Sequence, residues 1–154
     1  MSQAEPDGPL DEVVGYVLKR AAAALRAHMD AELRPLGLTV PQYACLEVLS
    51  RQPGLSNAEL ARAVFVSRQS MNLVLRGLQD RGLVARPAST PHGRALPSRL
   101  TPAGREQLQA ASTLVKSVEQ RMLTPLSTAA RDRLRRDLAA CADALAEPRS
   151  VGEN

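Results

Sequence analysis

The sequence predicts a mainly α-helical domain that carries one small β-hairpin. Three observations indicate this fold class. Apolar residues recur at intervals of three and four along most of the chain, which is helical spacing. Ser or Thr stands just before several of these stretches, and Gly or Pro stands just after them, as helix-capping residues do. One short segment, residues 83–86, alternates instead, and a loop rich in Pro, Ser, Thr and Gly follows it, which is typical of a hairpin.

A long first helix is predicted at residues 10–34, where one face is apolar. Pro35 and Gly37 end this helix, because proline cannot continue it and glycine favours the turn that follows. A shorter second helix begins at a predicted capping box, in which Thr39 and Gln42 each bond the other's backbone N–H.

Two further helices are predicted with a tight turn between them. Ser56 and Glu59 form a second capping box that opens a short helix, and Ser67 caps a longer one that reaches Arg81, with Gly82 just beyond its end. The longer helix has an apolar face and an opposite face that carries Arg68, Gln69, Asn72, Leu73, Arg76 and Gly77.

The hairpin and two last helices complete the chain. Strands at 83–86 and 98–100 enclose the loop, and Thr101 with Pro102 opens the next helix. Pro125 breaks this helix before the final one, which carries a stripe of apolar residues and frays after about residue 146.

The length and composition restrict the class of protein. The 154 residues suit one domain with a sizeable core, and a hydrophobic content of 44% is that of a globular protein. The longest stretch without Asp, Glu, Lys or Arg, residues 35–46, is far shorter than the ~20 apolar residues that span a bilayer. The acidic N-terminus lacks the apolar run of a secretory signal. We therefore expect a cytoplasmic protein without a membrane partner.

Positive charge is concentrated in the middle of the chain. Nine arginines and two acidic residues lie between Arg51 and Arg105, a net charge of +7, whereas the remainder has 11 basic and 14 acidic residues. Such a segment favours a polyanionic partner, although a solvated arginine-rich surface is the alternative. Three aromatic residues are too few for a protein that stacks single-stranded bases on aromatic side chains.

The order of elements is that of a winged helix-turn-helix. In that fold the second helix of the pair enters the major groove, and the hairpin loop, or wing, reaches the narrower minor groove. We expect Arg94 at the wing tip to enter the minor groove. Arg86 and Arg99 flank the hairpin, as phosphate contacts or as ion-pair partners within it. The predicted DNA-binding residues are Ser67, Arg68, Gln69, Ser70, Asn72, Arg76, Arg86, Arg94 and Arg99.

Four short motifs occur in order: LT-x-x-Q-Y-x-x-L at 38–46, L-S-x-x-E-L-A at 55–61, L-x-x-R-G-L-V at 78–84 and LTPAG at 100–104. With the flanking helices, this run resembles MarR-type transcriptional regulators over about residues 10–146. The resemblance implies a homodimer in which helices at 10–34 and 102–146 form the interface. The winged lobes at 39–101 read a pseudo-palindromic site, most often as a repressor.

The resemblance also implies control by a small molecule. In similar proteins an aromatic or phenolic acid binds between the dimerisation helices and the DNA-binding lobe, and it shifts the dimer to a spacing that no longer fits DNA. Tyr16, Arg20 and Tyr43 are the candidate ligand-binding residues. Two positions depart from the family pattern. His92 stands where an acid usually holds the wing, and Leu73 stands where a polar residue is common, so that it either touches a thymine methyl or is partly buried.

Other classes of function have less support. Cys45 and Cys141 lie on apolar stripes and are expected to be small buried hydrophobes, although a cysteine-based redox sensor is an alternative. The scattered Cys and His residues predict no metal site, and no cofactor or catalytic motif is present, so we expect no enzyme. A winged-helix dimer that binds protein instead of DNA is the remaining alternative.

Overall fold

The computed structural model describes residues 8–86 and 97–146 of the chain. Short 3-10 turns at Leu10–Glu12 and Arg34–Leu36 flank the first helix. The described elements are, in order, α1 (Val14–Leu33), α2 (Val40–Arg51), α3 (Asn57–Val64), α4 (Arg68–Asp80), β1 (Val84–Ala85), β2 (Arg99–Leu100), α5 (Pro102–Leu123) and α6 (Thr128–Ala146).

The first predicted helix is therefore three pieces, because its α-helical part begins only at Val14 and Pro35 lies in a separate turn. The chain divides into two compact units, Met1–Val118 and Glu119–Asn154, with the division inside α5. The assignment of 10–34 and 102–146 to a dimer interface and of 39–101 to a DNA-binding lobe stays a prediction.

The core lies in the first unit, where α2, α3 and α4 pack on one another. Leu46, Leu60, Met71, Leu75 and Leu78 are almost completely buried there, one or more from each of the three helices. The spacing of four and three among Met71, Leu75 and Leu78 puts them on one face of α4, so burying that face fixes how α4 packs on α2 and α3.

Helix caps follow most of the predictions. Thr39 and Gln42 form the capping box, with their side chains 3.3 and 3.1 Å from each other's backbone N–H. Ser56 accepts from the Glu59 backbone N–H at 3.2 Å, as predicted. The prediction that the Glu59 side chain accepts from the Ser56 backbone N–H is wrong. The Glu59 carboxylate accepts instead from the Ser56 hydroxyl, at 2.9 Å, because that hydroxyl is a donor close to the carboxylate.

The hairpin is shorter than predicted. β1 and β2 pair antiparallel, Val84 with Leu100 and Ala85 with Arg99, and each has two residues. The loop between them, including the predicted contact Arg94 and the unusual His92, lies outside the described residues.

The base of the hairpin is joined closely to α5. The Thr101 N–H donates to the Leu83 carbonyl at 3.1 Å, and the Thr101 hydroxyl donates to the Gly82 carbonyl at 2.6 Å. Gly104 lies against Leu83, the residue just before β1, so that a Cβ atom there would clash with the Leu83 carbonyl oxygen. The glycine of the LTPAG motif is therefore required by the close approach of two backbones.

Candidate nucleic-acid interface

The helix-turn-helix is formed by α3, a tight turn and α4. Phe65 closes the turn in the left-handed region, at φ 63°, and the Val66 N–H donates to the Ala61 carbonyl at 3.0 Å. Ser67 then caps α4 by accepting from the Ser70 N–H at 3.1 Å. Since α3 and α4 both contribute buried residues to the core, the direction of α4 is fixed relative to α3.

The face of α4 opposite the core is open to solvent. Its exposed side chains are Arg68, Gln69, Ser70, Asn72, Leu73 and Arg76. Arg68, Asn72 and Arg76 are spaced by four residues and so share one line along the helix. Leu73 is 64% exposed, so of its two predicted alternatives the partly buried side chain is wrong: Met71, Leu75 and Leu78 fill the interior without it.

Ser67 and Ser70 are bonded to each other. The Ser67 hydroxyl donates to the Ser70 hydroxyl oxygen at 3.0 Å while it accepts from the Ser70 N–H. Ser67 is therefore occupied as the helix cap, whereas the Ser70 hydroxyl keeps its own hydrogen for a further acceptor.

Asn72 is held from the neighbouring helix. Asn57, at the start of α3, donates from Nδ2 to the Asn72 Oδ1 at 2.9 Å. The sequence analysis did not identify Asn57, and the residue carried no signal, because it pairs with Asn72 only when α3 and α4 are packed together.

The arginines of this surface form no ion pair with any residue that the structure describes. Within residues 8–86 and 97–146, the ion pairs are Arg26 with Asp30 and Arg51 with Glu47. The exposed arginines of α4 and of the hairpin, Arg68, Arg76, Arg86 and Arg99, thus have no acidic partner among the described residues. Two roles are predicted for Arg86 and Arg99, a phosphate contact and an ion pair within the hairpin. The described part of the chain contains no such ion pair.

Arg81 has a structural role that the sequence analysis missed. Its guanidinium donates to the carbonyls of Gly37 at 2.7 Å and Leu36 at 3.0 Å. Gln107 of α5 donates to the same Leu36 oxygen at 2.8 Å. The end of α4 and the start of α5 are both bonded to the loop between α1 and α2.

The predicted ligand residues lie on two helices. Tyr16 and Arg20 are exposed on α1, whereas Tyr43 is buried on α2 beside Ser112, and burial raises the pKa of its phenol. An apolar groove of about 320 Å³ lies between α1, α2 and the turn after α3. Its lining does not include Tyr16, Arg20 or Tyr43, and it is formed by Ala22, Leu25, Arg26, Met29, Val40, Pro41, Ala44 and Val64–Val66.

The two cysteines differ. Cys45 is fully buried in the core, and burial raises the pKa of its thiol to about 12. Cys141 is exposed on α6, so the prediction that it is buried is wrong for the single chain. Its apolar stripe finds no cover within its own unit, where no residue of α6 is buried in the described part of the chain.

Two further features concern the described residues alone. None of the helices there is both long and apolar enough to cross a membrane. The same residues contain no group of three or more His, Cys, Asp and Glu that is arranged to hold a metal ion.

Comparisons with known proteins agree with this geometry. Residues 36–95 match the model of the MarR family. The HTH-type transcriptional repressor Rv2887 of Mycobacterium tuberculosis (strain ATCC 25618 / H37Rv) is 50% identical over 117 residues, which cover 76% of this chain and 84% of that repressor.

Two crystal structures of the M. tuberculosis protein are similar to the structure of this chain. Its complex with salicylic acid has a TM-score of 0.71 at 45% identity, and the match covers 88% of this chain and 98% of that one. Its complex with DNA has a TM-score of 0.71 at 42% identity, with the same coverage. Sequence, helix-turn-helix geometry and hairpin all agree, and the chain belongs to the MarR family of winged helix-turn-helix transcriptional regulators.

Proposed function

We propose that this regulator is a homodimeric repressor that binds a pseudo-palindromic DNA site and leaves it when a small aromatic or phenolic acid binds. The observation that carries the proposal is the exposed face of α4, where Arg68 and Arg76, which have no ion pair among the described residues, lie with Asn, Gln and Ser side chains. These groups are the ones that pair with base edges and phosphates. The similar M. tuberculosis repressor has been crystallised with DNA.

Each predicted residue has a role in this proposal. Arg68, Gln69, Asn72 and Arg76 face the major groove, some toward bases and some toward phosphates, and Ser70 offers its free hydroxyl hydrogen. Ser67 holds the start of the helix. Arg86 and Arg99 bind phosphates beside the groove, and Arg94 reaches the minor groove from the wing.

Fluorescence anisotropy on DNA from the gene's own upstream region, with random DNA as competitor, tests the proposal over a salt series. We expect specific binding tighter than random binding by about 4 kcal/mol or more, with a steep fall in affinity as salt rises. Arg76→Ala should weaken binding, whereas Arg121→Ala, which removes an exposed arginine of α5, is the matched control. Equal affinity for both DNAs, confirmed by selection from genomic fragments, would instead favour the protein-binding alternative.

A second copy of the chain is the proposed cover for α1 and α6. Among the described residues, α1 buries only Leu33 and α6 buries none. Val14 is 80% exposed and Leu145 is 90% exposed, although their helices are amphipathic. A helix gains most of its stability from packing its apolar face, so these helices need a partner surface. Light scattering should give twice the 16.5 kDa mass of one chain.

The proposed effector site lies where α1 meets α2. The groove there is apolar and has one guanidinium, that of Arg26, whose only ion pair among the described residues is a long one to Asp30, 3.9 Å. An aromatic carboxylate suits such a site, and the similar repressor has been crystallised with salicylic acid. Tyr16, Arg20 and Tyr43 remain the ligand residues predicted from the sequence. Salicylate should release bound DNA from the wild type. Of Arg26→Gln and Arg20→Gln, the variant that loses this release identifies the arginine that binds the salicylate carboxylate.

We propose that the protein acts in the cytoplasm, without a cofactor and without catalytic activity of its own. Cys45 is a poor redox sensor, because burial in the core keeps it a neutral thiol.

A further inference from the structure

We infer that Asn57 is a positioning residue that decides how Asn72 reads DNA. The inference rests on the proposed function, because it assumes that α4 meets base edges. Asn57 is partly buried at the first position of α3, and Asn72 is exposed on α4. Their side chains are bonded, Asn57 Nδ2 to Asn72 Oδ1, at 2.9 Å.

This bond gives the Asn72 amide a direction. An asparagine amide has an acceptor oxygen on one side and a donor NH₂ on the other. Since Oδ1 is turned toward Asn57, Nδ2 is turned away from it. Asn72 therefore presents a donor to DNA, and its oxygen is engaged within the protein.

A donor selects among bases in a predictable way. In the major groove guanine, thymine and adenine each present an acceptor, whereas cytosine presents only its N4 donor. The two-bond contact of asparagine with adenine needs Oδ1 and Nδ2 to face the base edge together, and here Oδ1 is turned toward Asn57. We therefore expect Asn72 to reject cytosine at the base it faces and to show no special preference for adenine.

Asn57 is free to serve this purpose because it has no part in capping α3. Ser56 is the cap, and it accepts from the Glu59 N–H at 3.2 Å. Alanine is a good helix former at the position after the cap, so Asn57→Ala is expected to fold. Asn57 also borders a cleft with Ser56 and Arg86, and the competing role is a direct phosphate contact there.

The test compares the full-length wild type with Asn57→Ala, Asn57→Asp, Asn72→Ala and the double variant Asn57→Ala/Asn72→Ala. Each is used to select sites from randomised DNA, and affinities for single-base variants of the selected site are then measured. The base that Asn72 faces is the one where Asn72→Ala flattens the preference. A thermal melt confirms that each variant is folded.

We expect the wild type to disfavour cytosine at that base by about tenfold, and Asn57→Ala to remove most of this discrimination while affinity for random DNA is unchanged. Asn57→Asp can only accept, so it should turn the Asn72 Nδ2 inward and expose Oδ1. Cytosine and adenine should then become the preferred bases. In the Asn72→Ala background, Asn57→Ala should have no further effect.

Two results would overturn the inference alone. An equal loss of affinity by Asn57→Ala on every sequence, persisting in the Asn72→Ala background, would make Asn57 a phosphate contact. An unchanged base preference in Asn57→Ala and Asn57→Asp would show that the bond does not direct Asn72. A wild type without any base preference would be different, because it would remove the proposed function as well.

Discussion

At the residue scale, Cys45 links burial to pH. Its thiol has a pKa of about 12 in the folded chain against 9.0 ordinarily, because burial disfavours the thiolate. Between these values the unfolded chain has lost a proton that the folded chain keeps, so stability falls as pH rises. We expect Cys45 to lower the free energy of unfolding by about 1.4 kcal/mol per pH unit in this window. Urea denaturation at several alkaline pH values measures it.

Cys45→Ala is the control for this prediction. The variant should start less stable near neutral pH, by about 1 kcal/mol, because it loses buried volume. Its stability should then fall less steeply between the two pKa values. The raised pKa of Tyr43 adds its own loss at higher pH in both proteins. Equal slopes for both proteins between pH 9 and pH 10 would contradict the prediction.

Whether a residue of the site could be predicted from the sequence depends on how far along the chain its bonding partner lies. Ser67 and Thr39 were predicted as caps because their partners lie three residues away. Arg68 and Arg76 were placed on the open face of α4 by helical spacing alone. Asn57 and Arg81 were missed, since their partners lie 15 and 44 residues away and meet them only after packing.

At the scale of elements, Gly104 sets the distance between β1 and α5. A Cβ atom there would clash with the Leu83 carbonyl oxygen, which belongs to the backbone and cannot turn aside as a flexible side chain can. Gly104→Ala should therefore destabilise the chain by about 2–4 kcal/mol. Gly15→Ala is the matched control, because a Cβ atom there meets nothing within 4 Å in the single chain. It should leave stability unchanged or raise it by up to about 1 kcal/mol in a urea titration. Equal destabilisation by both changes would contradict the close-approach argument.

Arg81 connects the end of α4 to the loop between α1 and α2. Arg81→Ala removes both bonds to the Leu36 and Gly37 carbonyls, so we expect about 1–2 kcal/mol less stability in chemical denaturation. Arg81→Lys should recover part of it, since one ammonium cannot match the planar guanidinium at two oxygens. Arg76→Ala is the control on the same helix: it should weaken DNA binding and leave stability unchanged. A stable Arg81→Ala protein would show that Gln107 alone holds the loop.

The sequence predicts the boundaries of the helices more accurately than the boundaries of the strands. The helices were predicted with their order and caps, because capping and spacing are local properties. The hairpin was predicted too long, since pairing beyond two residues depends on the partner strand and not on alternation within one.

At the scale of the whole molecule, an apolar stripe shows that a helix face needs cover but not which surface covers it. The stripe of α6 was predicted from its spacing, yet Cys141 on that stripe is exposed in the single chain. Periodicity is the same for a helix that packs within its own chain and for one that packs on a second copy. The partner must therefore be found by experiment.

The last prediction concerns that partner. Leu134 and Leu138 lie one turn apart on α6 and are exposed in the single chain. Replacing both with Asp should bury charge in the proposed interface, and light scattering should then give the 16.5 kDa monomer. Arg136→Asp changes charge on the same helix without removing an apolar residue, and it should stay dimeric.

DNA affinity should change in a way that only dimer loss explains. Two linked lobes bind a two-half site more tightly than one lobe by about 10²–10⁴-fold, because the second contact is intramolecular. The Leu134/Leu138 variant should lose that factor on the full site and keep the wild-type lobe's affinity for an isolated half-site. An equal loss on both DNAs would indicate a damaged lobe, and an intact dimer would place the interface elsewhere than on α6.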